Sequence, residues 1–146
     1  MKATQALLAC RVRGVTAILG PVFLVLAGAP GNARGDELPL HRVTYTVTAD
    51  QPVQVDVYYR DVDPPTWADY SHNPYEFSPR DEASVGPDQS WVREVSLVNP
   101  DQWAMVAATI GSLPSGVTVR CELAVDGIVV VKADGSHGAL CSSRHW

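Results

Sequence analysis

Residues 117–131, VTVRCELAVDGIVVV, leave little choice of local structure. Val117, Val119, Cys121, Leu123 and Val125 alternate with Thr118, Arg120, Glu122 and Asp126. A repeat of two places one set on each face of an extended chain, which describes a half-buried strand. Asp126-Gly127 then supplies the positive φ angles of a two-residue hairpin turn. Ile128 to Val131 form a continuous β-branched run, the pattern expected of a strand covered on both faces. The stretch is therefore a hairpin with Cys121 directed inward.

The same alternation recurs upstream. Val43, Tyr45 and Val47 alternate with threonines, and Val53, Val55, Val57 and Tyr59 alternate with Gln54, Asp56, Tyr58 and Arg60. Asp50 and Pro52 punctuate the intervening turn, so the second strand is expected to pair back on the first as a hairpin. Residues 90–98 resume strand character, with Trp91, Val95 and Leu97 as core candidates. Asn99-Pro100-Asp101 is a turn, and residues 103–110, apolar on both faces, read as a central strand. No helical period of useful length follows the N-terminal region. The expected fold is all-β: an immunoglobulin-like β-sandwich of six to seven antiparallel strands in about 110 residues.

The N-terminus is built differently. Lys2, Arg11 and Arg13 precede an apolar run from Val15 to Ala27, and small residues follow. Basic, apolar, small is the order of a signal peptide. The run is shorter than the roughly 20 apolar residues of a membrane span, although an uncleaved anchor remains the alternative. The chain thus divides into a signal peptide or signal anchor (1–29), a Gly- and Pro-rich linker (30–41) and an exported domain (42–146). Cleavage is expected to give a mature protein beginning between Gly28 and Gly35, secreted or held in the cell envelope.

Export changes the reading of the cysteines. Cys10 stays with the leader, and Cys121 and Cys141 remain as an even pair in an oxidising compartment, where a disulfide is expected. A plain meander with two tight turns would set Cys121 opposite Lys132 and Cys141 opposite Ile128, about 13 Å apart at strand rise. A disulfide needs Cα atoms within about 7 Å. Residues 133–138 should therefore form a wider loop that carries the last segment to another register or onto a facing sheet. The alternatives are a free buried thiol at Cys121, or a zinc site from Cys121, Cys141, His137 and His145 without any CxxC or HxxxH spacing.

Residues 61–89 break the pattern, with Pro64, Pro65, Pro74, Pro79 and Pro87 among acids and aromatics. Such a long connection without regular structure is often functional. Trp67, Tyr70, Tyr75 and Phe77 are the candidate partner-binding residues; alternatively they pack down on their own sheet. Asp61, Asp63 and Asp69 hint at calcium, but EF-hand spacing is absent. No GxSxG elbow, phosphate-cradling loop or glycosylation sequon is present. No catalytic residue, metal or cofactor is expected.

Charge narrows the partners. The chain carries 11 basic and 16 acidic residues. Without Lys2, Arg11 and Arg13, 8 basic residues face 16 acidic ones, a net of −8. An acidic domain of this kind excludes nucleic acid and anionic lipid as partners.

The order VTYTVT, VQVDVYYRD, SWVREVSL, AMVAATIG and VRCELAVDGIVVV, closing on a second cysteine, resembles the small mycobacterial membrane proteins called MmpS. The resemblance covers roughly residues 42–60 and 90–141, with Val43, Tyr45, Val47, Tyr59, Trp91, Cys121, Asp126-Gly127 and Cys141 as its best matches. It implies an exported β-sandwich behind an N-terminal membrane segment. It also implies a non-enzymatic accessory role beside an RND-type exporter of lipids or siderophores, with a membrane transporter or envelope protein as partner and a lipidic ligand possible. The other reading is a freely secreted domain that recognises a ligand or protein through residues 61–89.

Overall fold

The structure is a computed structural model that describes residues 38–111 and 116–144. Residues 1–29, where a signal peptide or anchor is expected, most of the expected linker and His145 lie outside the described residues. Eight strands form two four-stranded sheets. They are β1 (His41–Ala49), β2 (Val53–Tyr59), β3 (Arg80–Val85), β4 (Trp91–Leu97), β5 (Met105–Thr109), β6 (Val119–Val125), β7 (Ile128–Gly135) and β8 (Gly138–Ser142). One sheet has the order β4-β1-β6-β7 and the other β3-β2-β5-β8, with every pairing antiparallel. Two short helices, α1 (Trp67–His72) and α2 (Pro100–Trp103), and a 3₁₀ turn at Pro74–Phe77 sit between strands.

The sandwich follows from the alternation. Val43, Tyr45, Val47 and Ala49 of β1 face Val55, Val57 and Tyr59 of β2 in one buried cluster, which Val119, Cys121 and Leu123 of β6 complete. The expected β1–β2 hairpin does not form, because the two strands belong to different sheets. The physical reason lies in the turn. Asp50 exchanges its hydrogen bonds with Thr118, accepting from Thr118 N at 2.8 Å and donating to Thr118 O at 3.1 Å. Pro52 has no N–H to close a hairpin. Two strands with equally apolar faces then bury them against each other across the core rather than side by side.

The β6–β7 hairpin does form. Asp126 and Gly127 take φ of 51° and 82°, and Val125 pairs with Ile128. A β-bulge between Leu123 and Ala124 shifts the register, so Cys121 lies opposite Ala133 rather than Lys132. β7 is not covered on both faces as its sequence suggests. It is an edge strand, and Ile128, Val129 and Val130 are exposed. β5 is central in its sheet, as expected, but it begins at Met105, since Trp103 closes α2.

The last crossing answers the disulfide geometry. No wide loop occupies residues 133–138. β7 runs on to Gly135, and only Ser136 and His137 separate it from β8, which lies in the facing sheet. Gly138 makes the crossing possible with φ of 152°; a Cβ there would stand 2.1 Å from Ala108 O. Cys141 thereby comes opposite Cys121 from the other sheet, and the two form a disulfide with a Cα separation of 5.9 Å. Both sulfurs are thus consumed, which removes the thiolates that a zinc site would need.

Candidate functional site

The site begins at the end of β2. Alternation places Arg60 on the solvent side, yet Arg60 is fully buried. The chain leaves sheet geometry after Tyr59, and residues 61–78 fold back over the Arg60 side chain. Its Nη1 donates to Phe77 O at 2.9 Å and to Ser78 Oγ at 2.8 Å, and its Nε donates to Trp103 O at 3.4 Å. Nη2 is buried without a hydrogen-bond partner among the described residues. Aromatic faces supply further electrostatic compensation for the cation: Arg60 Cζ lies 4.3 Å over the Tyr70 ring and 5.8 Å from that of Trp103.

From Tyr70 the contacts continue outward. Tyr70 stacks on Trp67 with centroids 5.1 Å apart and planes within 8°. Trp103 meets both rings edge-on, at 5.3 and 5.7 Å. The Arg144 guanidinium, arriving just after β8, lies 4.4 Å over Trp67. A chain of face contacts therefore runs from buried Arg60 through Tyr70 and Trp67 to Arg144.

Residues 61–89 are accordingly not a structureless loop. They hold α1, the 3₁₀ turn and the whole of β3, which pairs with β2 from Val53↔Val85 to Tyr58↔Arg80. Thr66 caps α1, accepting from Asp69 N at 3.2 Å, while its hydroxyl donates to Asp69 Oδ2 at 2.6 Å. Asp63 accepts from the N–H groups of Val98 and Asn99 at 2.7 and 2.8 Å. Asp63 thus caps backbone, Asp69 holds the capping hydroxyl, and among the described residues no group of three His, Cys, Asp or Glu side chains is placed to hold a metal.

The four aromatic candidates separate. Trp67 and Tyr70 pack into the stack, although Trp67 remains 42% exposed, and Phe77 is half-buried. Tyr75 projects from the 3₁₀ turn with 77% of its surface exposed. Beside it lies an open cleft of about 540 Å³ lined by Pro65, Ala68, Asp69, His72, Asn73, Glu76 and Phe77. Apolar walls with carboxylate and imidazole groups suit contact with a polar or cationic side chain. Sequence reasoning named the aromatics but missed Arg60, Trp103 and Arg144. The signal for Arg60 was its position as the first residue after a strand and before a Pro-rich excursion.

The opposite sides of the sandwich are closed by other means. Asp81 on β3 accepts from Trp91 Nε1 at 3.2 Å and from Arg93, both on β4, joining the edges of the two sheets. Arg93 lies 5.2 Å over Tyr59. Burial raises the Tyr59 phenol above its ordinary value, and the neighbouring Asp81 carboxylate adds to the shift. On the outer face of the first sheet, a groove of about 350 Å³ runs between Thr46, Thr48, Arg120 and Asp134, with the Lys132–Glu122 ion pair, 2.7 Å, in its wall.

A domain of this build falls among the β-sandwich proteins. Residues 45–141 match the family described as the Rv2576c beta-sandwich domain, and the chain belongs to that family. Its relatives include uncharacterized protein Rv2576c of Mycobacterium tuberculosis, 37% identical over 117 residues that cover 80% of this chain and 75% of the relative. Uncharacterized protein Mb2606c of Mycobacterium bovis matches to the same extent.

Proposed function

We propose that this domain is a non-enzymatic, exported binding module of the cell envelope that engages a protein partner through residues 61–78. The observation that carries this reading is the excursion built on Arg60. It is a short non-sheet segment, held rigidly by a buried cation, that presents Trp67 and Tyr75 to solvent. Exposed aromatics on a preorganised support are the residues that anchor protein interfaces. The inter-sheet disulfide is compatible with an oxidising compartment. The resemblance to MmpS proteins supports a more specific role as an accessory of an RND-type lipid or siderophore exporter.

The test is co-purification of the tagged protein from envelope membranes, with wild type compared against a Trp67→Ala/Tyr75→Ala variant. A named transporter component retained by the wild type and lost by the folded variant supports the reading. Equal retention by both excludes residues 61–78 as the contact surface. A protein found only in the culture medium, with a mature N-terminus between Gly28 and Gly35, favours the freely secreted module over the transporter accessory.

A further inference from the structure

One end of the sandwich collects nearly all of its exposed apolar side chains. Ten large hydrophobic residues are exposed among the described residues. Strand directions place eight of them at or beside the end where β1 begins. Leu38 and Leu40 immediately precede β1, and β1 is joined there to the β6–β7 turn. Arg42 N donates to Asp126 Oδ1 at 2.9 Å, and His41 Nδ1 lies 2.7 Å from Asp126 Oδ2. Ile128, 70% exposed, follows that turn, and Val129 and Val130 extend the apolar row along the β7 edge. β2 runs toward the same end, so Val62, Trp67 and Tyr75 project from the excursion that leaves it. Only Val92 and Leu140 lie elsewhere. A concentration of this kind marks an interaction surface rather than scattered surface residues.

Three observations choose the occupant. The first is covalent continuity. The apolar run ending at Ala27 is separated from Leu38 by ten residues, 28–37, a tether of at most about 35 Å when fully extended. A retained N-terminal segment would therefore keep Leu38 within about 35 Å of a bilayer. The second is composition: Leu38, Leu40, Ile128, Val129 and Val130 are aliphatic side chains without a polar group to satisfy, the kind that an interfacial layer takes up. The third is the state of the β7 edge. Its bulge, together with Lys132 and Asp134 farther along, blunts it against pairing with a strand of another chain. What remains available is the apolar side chains at the tip, not the backbone ladder.

We infer that this end of the domain is a membrane-docking surface that seats Leu38, Leu40 and Ile128 in the interfacial layer of a phospholipid bilayer. The inference rests on the envelope placement proposed above, but not on a protein partner. The surrounding charge fixes the lipid preference. Asp61, Asp63, Asp69, Glu76 and Asp101 belong to the segments at this end, and the domain as a whole is acidic. Docking is therefore driven by apolar burial into zwitterionic lipid and gains nothing from anionic headgroups.

The test uses the full chain, synthesised under oxidising conditions directly into phosphatidylcholine nanodiscs. The photoreactive residue p-benzoylphenylalanine is introduced singly at Leu40, at Ile128 or, at the opposite end, at Asp88 in the β3–β4 turn. Mass spectrometry after irradiation should find lipid adducts at Leu40 and Ile128 and none above the dark background at Asp88. Replacing part of the lipid with phosphatidylglycerol should not raise the yield. Absence of lipid adducts at both positions, equal labelling at Asp88, or a covalent dimer through Ile128 in place of lipid would each overturn the inference. A probe at Tyr75, irradiated in envelope membranes, reports on the protein partner separately, so the two readings can fail independently.

Discussion

The Tyr45 hydroxyl donates to the carbonyl oxygen of Arg60 at 2.9 Å, joining the middle of β1 to the root of the excursion on the other sheet. Tyr45 is fully buried, and burial drives its phenol far above the ordinary tyrosine range. Burial thus favours the neutral, donating form of the hydroxyl. Tyr45→Phe should cost about 1 kcal/mol, the net worth of one buried hydrogen bond. The urea midpoint should fall with the slope unchanged, and an unaltered midpoint would show that the bond is not a structural tie.

Arg60 itself carries more. Arg60→Ala leaves Phe77 O and Ser78 Oγ without their donor and removes the cation beneath Tyr70. Each buried group left unpaired costs about 1–3 kcal/mol. Limited proteolysis should then cut first within residues 61–78, while the β6–β7 hairpin stays protected. Arg60→Lys keeps the charge but loses the planar fork, and should fall between wild type and Arg60→Ala. Equal protease resistance in all three proteins would argue against Arg60 as the anchor.

The disulfide spans a sequence separation of 20. Closing such a loop contributes on the order of 3 kcal/mol by restricting the unfolded chain. Reduction or Cys141→Ser should lower the melting temperature and raise amide exchange in β8 before β6 and β7, whose turn does not depend on the bond. Two free thiols in the denatured, unreduced protein would refute the bond itself.

Acid should act on the hairpin tip. The hydrogen bond from His41, reinforced by the Arg42 backbone N–H, holds the Asp126 carboxyl below its usual range. A carboxylate favoured in the native state stabilises above its unfolded pKa, near about 4, and loses that contribution as pH falls through the lower native value. The difference in melting temperature between wild type and Asp126→Asn should therefore hold steady at neutral pH and shrink below pH about 4. A difference that widens in acid would contradict the assignment.

Gly138 offers a steric test. Gly138→Ala meets Ala108 O at 2.1 Å with φ of 152°, whereas Gly111→Ala, at φ 66°, meets nothing within 4 Å among the described residues. The Gly138 variant should lose about 3 kcal/mol or more, and the Gly111 variant only the smaller backbone cost of about 1–2 kcal/mol. Similar losses would mean that β8 can shift to relieve the contact.

Much of the fold was legible because strand alternation is local. Val43, Tyr45, Val47, Val119, Cys121 and Leu123 announce their buried face within a few residues. The Asp126-Gly127 turn needs no tertiary information, and the Cys121–Cys141 pair was expected, although the wide loop expected to permit it was not what formed. What was hidden depended on distant partners. β3 reads as part of an acidic loop because its charges are met from other strands: Asp81 pairs with Arg93 of β4, and Arg80 pairs with Asp56 of β2. The β1–β2 crossing depended on Thr118, 68 residues from Asp50. The exposure of Ile128–Val130 could not be read from a β-branched run, because an edge strand and a buried strand share that composition. At the site, the aromatics were visible as residue types, but the groups packed against them, Arg60, Trp103 and Arg144, come from three separate places in the chain.

The placement of β1 has a mechanical meaning. It is the first strand of the domain yet lies inside its sheet, bonded to β4 on one side and β6 on the other. A pull applied at the start of β1 would load both of its ladders in shear at once, instead of peeling an edge. When the domain did yield, the crosslinked segment between Cys121 and Cys141 would stay closed and withhold about 70 Å of extension from the stretched chain. Under tension applied at its N-terminal end, the domain would thus resist where it is pulled and, after rupture, keep residues 121–141 closed and leave a shorter chain to refold.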